Sequence, residues 1–219
     1  MERVTDTAER FTDDHVLEGL DLKQVRSRVS TRRLLRAAAE LIAERGYEKT
    51  TLAAIGERAG YSHGLVTRRF GSKDGLLLAL LQKMVSDWMT DDILPAFQGQ
   101  SGVDSLLVLV RGIRGSAAHD PTAMRALYTL MFEGLKPEPA ILHERMAEIH
   151  RGGRLRMEDA LNRGIAEGNV HPSVDARTTS QLVMAALRGS AYQWLLDGSF
   201  DFDGTLRALE MHIERTLRV

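Results

Sequence analysis

Residues 52–73 read LAAIGERAGYSHGLVTRRFGSK, and this stretch decides the fold. Ile55 and Ala59, then Val66 and Phe70, recur at the spacing of two short helices that each bury one face. Between them lie Gly60 and Tyr61, followed by Ser62. Glycine takes positive φ without a Cβ clash, and serine accepts from the free N–H groups of a helix's first turn. A helix that stops at glycine, followed at once by one that starts on a capping serine, makes a tight turn between two crossed helices. Working outward, residues 31–45 add a third wall through Leu34, Ala38, Leu41 and Ile42, and Gly46 suits the left-handed position that ends it. Ser72 suits the N-cap of the next helix, with Asp74 at its positive end. The three helices form a helix-turn-helix unit in which Ser62–Arg69 is placed to enter a major groove.

The same three-to-four spacing continues to the end of the chain, and alternating β-branched runs bounded by hairpin turns are absent. All five prolines, Pro95, Pro121, Pro137, Pro139 and Pro172, stand where a helical period stops. The fold class is all-α with about nine helices, expected at roughly 31–45, 52–59, 63–69, 73–92, 103–118, 122–134, 138–167, 174–197 and 204–218. Gly152-Gly153 is expected to kink or break the seventh. Residues 1–29 read as an N-terminal extension, in which Thr12 or Asp13 caps a short helix or the segment is loose. Residues 30–75 read as the helix-turn-helix domain, and 76–219 as a helical ligand-binding and dimerisation domain.

Charge divides sharply along the 219 residues, although the whole chain is formally −1. Residues 1–21 carry 2 Lys/Arg and 7 Asp/Glu, net −5; residues 22–73 carry 12 and 4, net +8; residues 74–219 carry 15 and 19, net −4. A polyanion is attracted to the middle segment and repelled by the rest. Lys23, Arg26, Arg28, Arg32 and Arg33 form a basic arm suited to phosphate or minor-groove contact, or else a solvated helix extension. The acidic residues 1–21 are able to fold back on that arm.

The stretch Thr31–Leu81 resembles the DNA-binding domain of TetR-type transcriptional regulators. AERGYEKTT at 43–51, IGERAGYSHG at 55–64 and the F-x-SK-[DE]-x-L run at Phe70–Leu76 carry the likeness. It covers about fifty residues; beyond them only the length, the helix pattern and the late SAYQWLLDG segment match. The resemblance implies that Thr51 starts its helix beside a phosphate, that His63 and Gly64 face base edges, and that Lys73 contacts the DNA backbone. Ser62, Thr67, Arg68 and Arg69 complete the expected DNA-binding set with Arg32 and Arg33. Two departures stand out. The family commonly has Tyr-x-His where this chain has Thr67-Arg68-Arg69, so an operator sequence is not inherited; Arg69 is expected to reach phosphate or the O6/N7 edge of guanine. Gly56 replaces a usual alanine, at about 1 kcal/mol in helix propensity, and suits close helix packing.

The resemblance also implies an effector pocket among the fourth to eighth helices. Adaptable methionines with aromatic walls suit an apolar small molecule, although such residues also build ordinary cores. The expected lining is Trp88, Phe97, Met124, Tyr128, Met131, Phe132, Met184, Arg188 and Tyr192, with Arg188 and Tyr192 anchoring a polar group. For a homodimer, Ala185, Ala186, Gly189 and Ser190 permit close helix approach, and Leu206, Leu209 and Ile213 supply an apolar seam. The same stripes would alternatively pack within one subunit.

With no cysteine, disulfide scaffolds, thiol catalysis and cysteine-based metal sites are excluded. No apolar run approaches the ~18 residues that span a bilayer. With no signal-peptide pattern, a cytoplasmic protein is expected. No metalloprotease, di-iron, phosphate-loop or nucleophile-elbow motif occurs, so no enzyme, cofactor or metal is expected; His143 and His150, seven apart, are the weak exception. The sequence therefore points to a regulator, most simply a repressor. As a dimer it would bind a palindromic operator on double-stranded DNA, and a small, largely apolar effector would release it. The competing reading is a helical small-molecule- or metal-binding protein whose basic corner does not read DNA.

Overall fold

In the computed structural model, which describes residues 22–87, 100 and 102–219, nine α-helices account for most of the described chain. They are α1 (Leu22–Arg45), α2 (Leu52–Ala59), α3 (His63–Phe70), α4 (Lys73–Asp87), α5 (Gly102–His119), α6 (Pro121–Glu133), α7 (Ala140–Glu167), α8 (Ala176–Leu196) and α9 (Phe202–Leu217). The only β pairing among the described residues is one antiparallel bridge between Val170 and Arg218. No described helix is long and apolar enough to cross a membrane.

Local chemistry accounts for the ends of these helices. Thr51 accepts from the Ala54 N–H at 3.2 Å, Ser62 from Leu65 at 3.3 Å and Ser72 from Gly75 at 3.0 Å. Asp120, Asp175 and Asp201 cap α6, α8 and α9 in the same way. At the end of α2, Gly60 has φ 76°, its N–H reaches the Glu57 carbonyl at 3.1 Å, and the Tyr61 N–H reaches Gly56 at 2.8 Å. This paired closure turns the chain sharply into α3.

Leu34, Ala38, Leu41 and Ile42 of α1 are buried together with Ile55 of α2, Val66 of α3 and Leu76, Leu77, Leu80 and Leu81 of α4. α1 also packs on α6, which seats the three-helix unit on the C-terminal helices. Those helices bury a second set, including Leu106, Val110, Tyr128, Leu130, Leu142, Leu161, Leu187 and Leu206. The chain end is fixed by the His171 N–H donating to Leu217 at 2.8 Å and by Arg218 bonding Asp104 and Glu214.

Several expectations are revised. The first helix starts at Leu22 rather than near 31, so the basic segment from Lys23 to Arg33 is helical. That stretch holds no glycine or proline, and the Ser30 and Thr31 hydroxyls both donate to the Ser27 carbonyl. The expected domain limits at 29/30 and 75/76 fall inside α1 and α4. Gly152-Gly153 does not break α7, which runs through to Glu167. The expected short helix after Thr12 and the end of the helix expected to run to 92 lie outside the described residues, as do Trp88 and Phe97.

Gly56 is the tightest point of the corner. A Cβ there would stand 2.8 Å from the Tyr61 carbonyl oxygen and 3.1 Å from a Val66 methyl. Gly56→Ala gains about 1 kcal/mol of helix propensity, but overpacking against backbone costs about 1–3 kcal/mol. We expect a net loss of stability, read as a lower urea midpoint at unchanged slope.

Candidate nucleic-acid interface

The corner that buries Ile55 and Val66 turns the opposite side of α3 to solvent. Ser62, His63, Gly64 and Arg68 are exposed there, and Thr51, at the start of α2, is exposed as well. Nothing lies within 4 Å of where a Gly64 Cβ would be, so the backbone of α3's first turn is open to close approach. The half-buried Thr67 places its hydroxyl 3.4 Å from His63 Nε2. The N-termini of α2 and α3, each with free N–H groups and partial positive charge, are thus both exposed.

The acids in this segment are largely engaged elsewhere. Arg58 holds Glu44 through two bonds of 2.8 Å and reaches Glu40 at 3.5 Å, while Arg36 bonds Glu40 at 3.2 Å. The Arg58 hydrogen bond keeps the Glu44 carboxyl below its ordinary pKa. Glu48 is bonded by Lys136 at 2.6 Å and is lowered for the same reason. Arg26, Arg28, Arg33 and Arg68 remain exposed. Arg32 is half-buried and engaged with neighbouring groups.

Arg69, expected at the DNA, is engaged within the chain. Its guanidinium turns away from the exposed face and donates to the Ser27 carbonyl and the Thr31 hydroxyl of α1. Ser27 and Thr31 are one turn apart, so Nη1 alone bridges them and clamps the N-terminal part of α1 against the end of α3. Lys73 is also held. Its ammonium donates to the Glu48 carbonyl at 3.1 Å and lies 4.0 Å from the Tyr47 ring centroid, and burial lowers its pKa. Tyr47 in turn donates to Asp74 at 2.8 Å. Sequence reading missed this Tyr47–Lys73–Asp74 group and the Lys136–Glu48 bridge, because their partners lie 25 to 88 residues apart.

In the C-terminal helices, Tyr128 is buried and receives a hydrogen bond from Arg188 Nη1 at 3.2 Å. Met124 and Met131 are buried, and Met184 packs against the core. Phe132 and Tyr192, expected to line the pocket, are 43% and 46% exposed and meet edge to face at 5.3 Å. Of the expected dimer residues, Leu206 and Ile213 are 0% and 1% exposed, and Ser190 is also buried. They are consumed inside the protomer because α9 packs along α5 and α8. Leu209 and Ala186 are half-buried, whereas Ala185 and Gly189 are exposed. His143 bonds the Gly134 carbonyl at 2.8 Å, and no three His, Asp or Glu among the described residues converge as metal ligands.

Comparison with known proteins connects this geometry to relatives. Residues 34–80 match the family model described as bacterial regulatory proteins, tetR family. The chain is 22% identical over 167 residues to the fatty acid metabolism regulator protein of Bacillus subtilis (strain 168), covering 75% of this chain and 82% of that one. A TetR transcriptional regulator from Chloroflexus aurantiacus J-10-FL has the same fold, with TM-score 0.76, 22% identity and coverage of 89% and 98%. So does SmeT of Stenotrophomonas maltophilia in its triclosan complex, with TM-score 0.71, 19% identity and coverage of 87% and 92%.

The two neighbouring arginines separate contact from clamping. Arg68→Ala is expected to lower the salt slope of DNA binding by about 1 and to leave amide exchange in residues 22–31 unchanged. Arg69→Ala is expected to speed exchange in residues 22–31. Equal exchange in both variants would contradict the clamp.

Proposed function

The chain belongs to the TetR family of bacterial regulatory proteins, and from that premise we propose that it is a dimeric repressor released from a palindromic operator by a small, largely apolar effector. One observation carries the reading. In a segment of net charge +8, α3 is capped by Ser62, rests on buried Val66, and exposes His63, Gly64 and Arg68. His63 and the open backbone at Gly64 approach base edges; Arg68, Arg33 and the helix N-termini at Thr51 and Ser62 take phosphates. Arg69 acts indirectly by holding α1 on α3, and Lys73 contacts the backbone beside the N-terminus of α4.

A palindrome calls for two reading helices about one DNA turn apart. An exposed stripe on α8 supports the dimer. Leu182, Ala185, Gly189, Tyr192 and Leu196 follow one another at steps of 3, 4, 3 and 4, and all are exposed. Leu182 and Leu196 are 65% and 73% exposed, and a Cβ at Gly189 would meet nothing. This stripe, rather than the buried Leu206–Ile213 seam, is available for the dimer contact. Pairing α8 with its symmetry mate in a helical bundle buries it.

The effector would lie among α6, α7 and α8, near Met131, Met184 and Arg188. Its signal reaches the reading head by two routes. α1 packs on α6, and Lys136, just beyond α6, bonds both Glu133 and Glu48, the latter beside Lys73. An effector that favours a different setting of α6 shifts the population towards a head spacing that no longer fits both half-sites. Among the solved neighbours, SmeT is the repressor of a multidrug efflux pump and has been solved with triclosan, which supports the analogy.

The reading is tested by selecting fragmented genomic DNA with the purified protein at increasing salt. The expected result is a few fragments sharing a palindrome, with Leu182→Glu both monomeric in light scattering and much weaker on the selected site. Unselective binding that disappears with salt would contradict it and favour a helical binding protein with an incidental basic corner.

A further inference from the structure

Two guanidiniums and an imidazole meet between α6, α7 and α8, and no carboxylate among the described residues pairs with either guanidinium. Arg188 of α8 lies over the Tyr128 ring, Cζ 5.6 Å from its centroid, and Nη1 donates to the Tyr128 hydroxyl. Its Nε is buried and has no acceptor. His150 and Arg154, one turn apart on α7, are both partly buried. Burial, followed by the charges of Arg188 and then Arg154, holds the His150 ring below its ordinary pKa. Neither Arg154 nor Arg188 forms an ion pair among the described residues.

A buried N–H without an acceptor is destabilising, and so is a partly buried guanidinium without a counter-ion. The Tyr128 bond occupies one end of the Arg188 fork and leaves the Nε–Nη2 edge, which can grip a carboxylate through two parallel bonds. Apolar surface adjoins it: Met184, on the same helix, comes so close to α7 that a Cβ at Gly153 would stand 2.9 Å from its methyl. We propose that Arg188, supported by His150 and Arg154, is the anchor for the anionic head of the effector, so that the effector is an amphiphilic organic acid with an apolar body. This rests on the C-terminal helices being the effector domain. Tyr128 positions the fork and bounds the site.

The test contains no DNA. Binding of 8-anilinonaphthalene-1-sulfonate to the purified full chain is followed by fluorescence, with octanoate and 1-octanol as competitors. The expected result is saturable binding displaced by octanoate and not by 1-octanol. Arg188→Gln weakens both anions at least tenfold, Arg188→Lys restores part of the affinity, and Arg154→Gln weakens them severalfold. Helical circular dichroism and the pattern of selected DNA fragments, if any, stay the same in each variant. Equal competition by 1-octanol, absence of probe binding, or an Arg188→Gln variant that binds like the parent would overturn the anion site. Anion binding through Arg188 in a chain that selects no DNA would preserve the site and refute the regulator; selective DNA binding without anion binding would do the reverse.

Discussion

The close approach of α2 and α3 at Gly56 governs the N-terminal half of the molecule. A methyl group there would enter the space held by the Tyr61 carbonyl and Val66. The missing side chain lets Val66 sit against Ile55, fully buried, while Gly60 reverses the chain and Ser62 starts the next helix. Burying one face of an eight-residue helix necessarily exposes the other. The polar outer face of α3 is thus a consequence of how its inner face packs.

That unit is coupled to the rest of the chain at a few defined places. Arg69 binds the N-terminal part of α1, and further along the same helix packs on α6. At the opposite end of the unit, Tyr47, Lys73 and Asp74 form a partly buried polar group, which Glu48 and Lys136 extend to the turn after α6. The exposed Lys136–Glu48 pair among these contacts contributes little stability individually. Their importance is geometric, since they tie residues at the proposed DNA surface to a helix that also presents Tyr128 to Arg188.

Local rules made much of this legible. Gly46, Gly60, Ser62 and Ser72 announce turns and caps through their own backbone and side-chain preferences, and each does what its residue type implies. The all-α class follows from apolar spacing in the same way. Arg69 shows the limit of charge, which suggests a partner without saying which; in the structure its guanidinium meets a main-chain carbonyl 42 residues earlier. Leu206 and Ile213 show the corresponding difficulty for apolar stripes. A seam between subunits and a seam between α9 and α5 have the same periodicity, and only packing assigns them to the protomer's interior. Gly152-Gly153 read as a break, yet the helix continues because packing outweighs propensity there.

The most direct measurement is amide hydrogen exchange of the full chain with and without a selected DNA duplex at low salt. The expected result is protection concentrated at residues 51–53, 62–68 and the start of α4, with α9 unchanged. Protection that leaves residues 62–68 untouched, or that falls mainly in the C-terminal helices, would contradict the assignment of α3 as the helix that reads DNA.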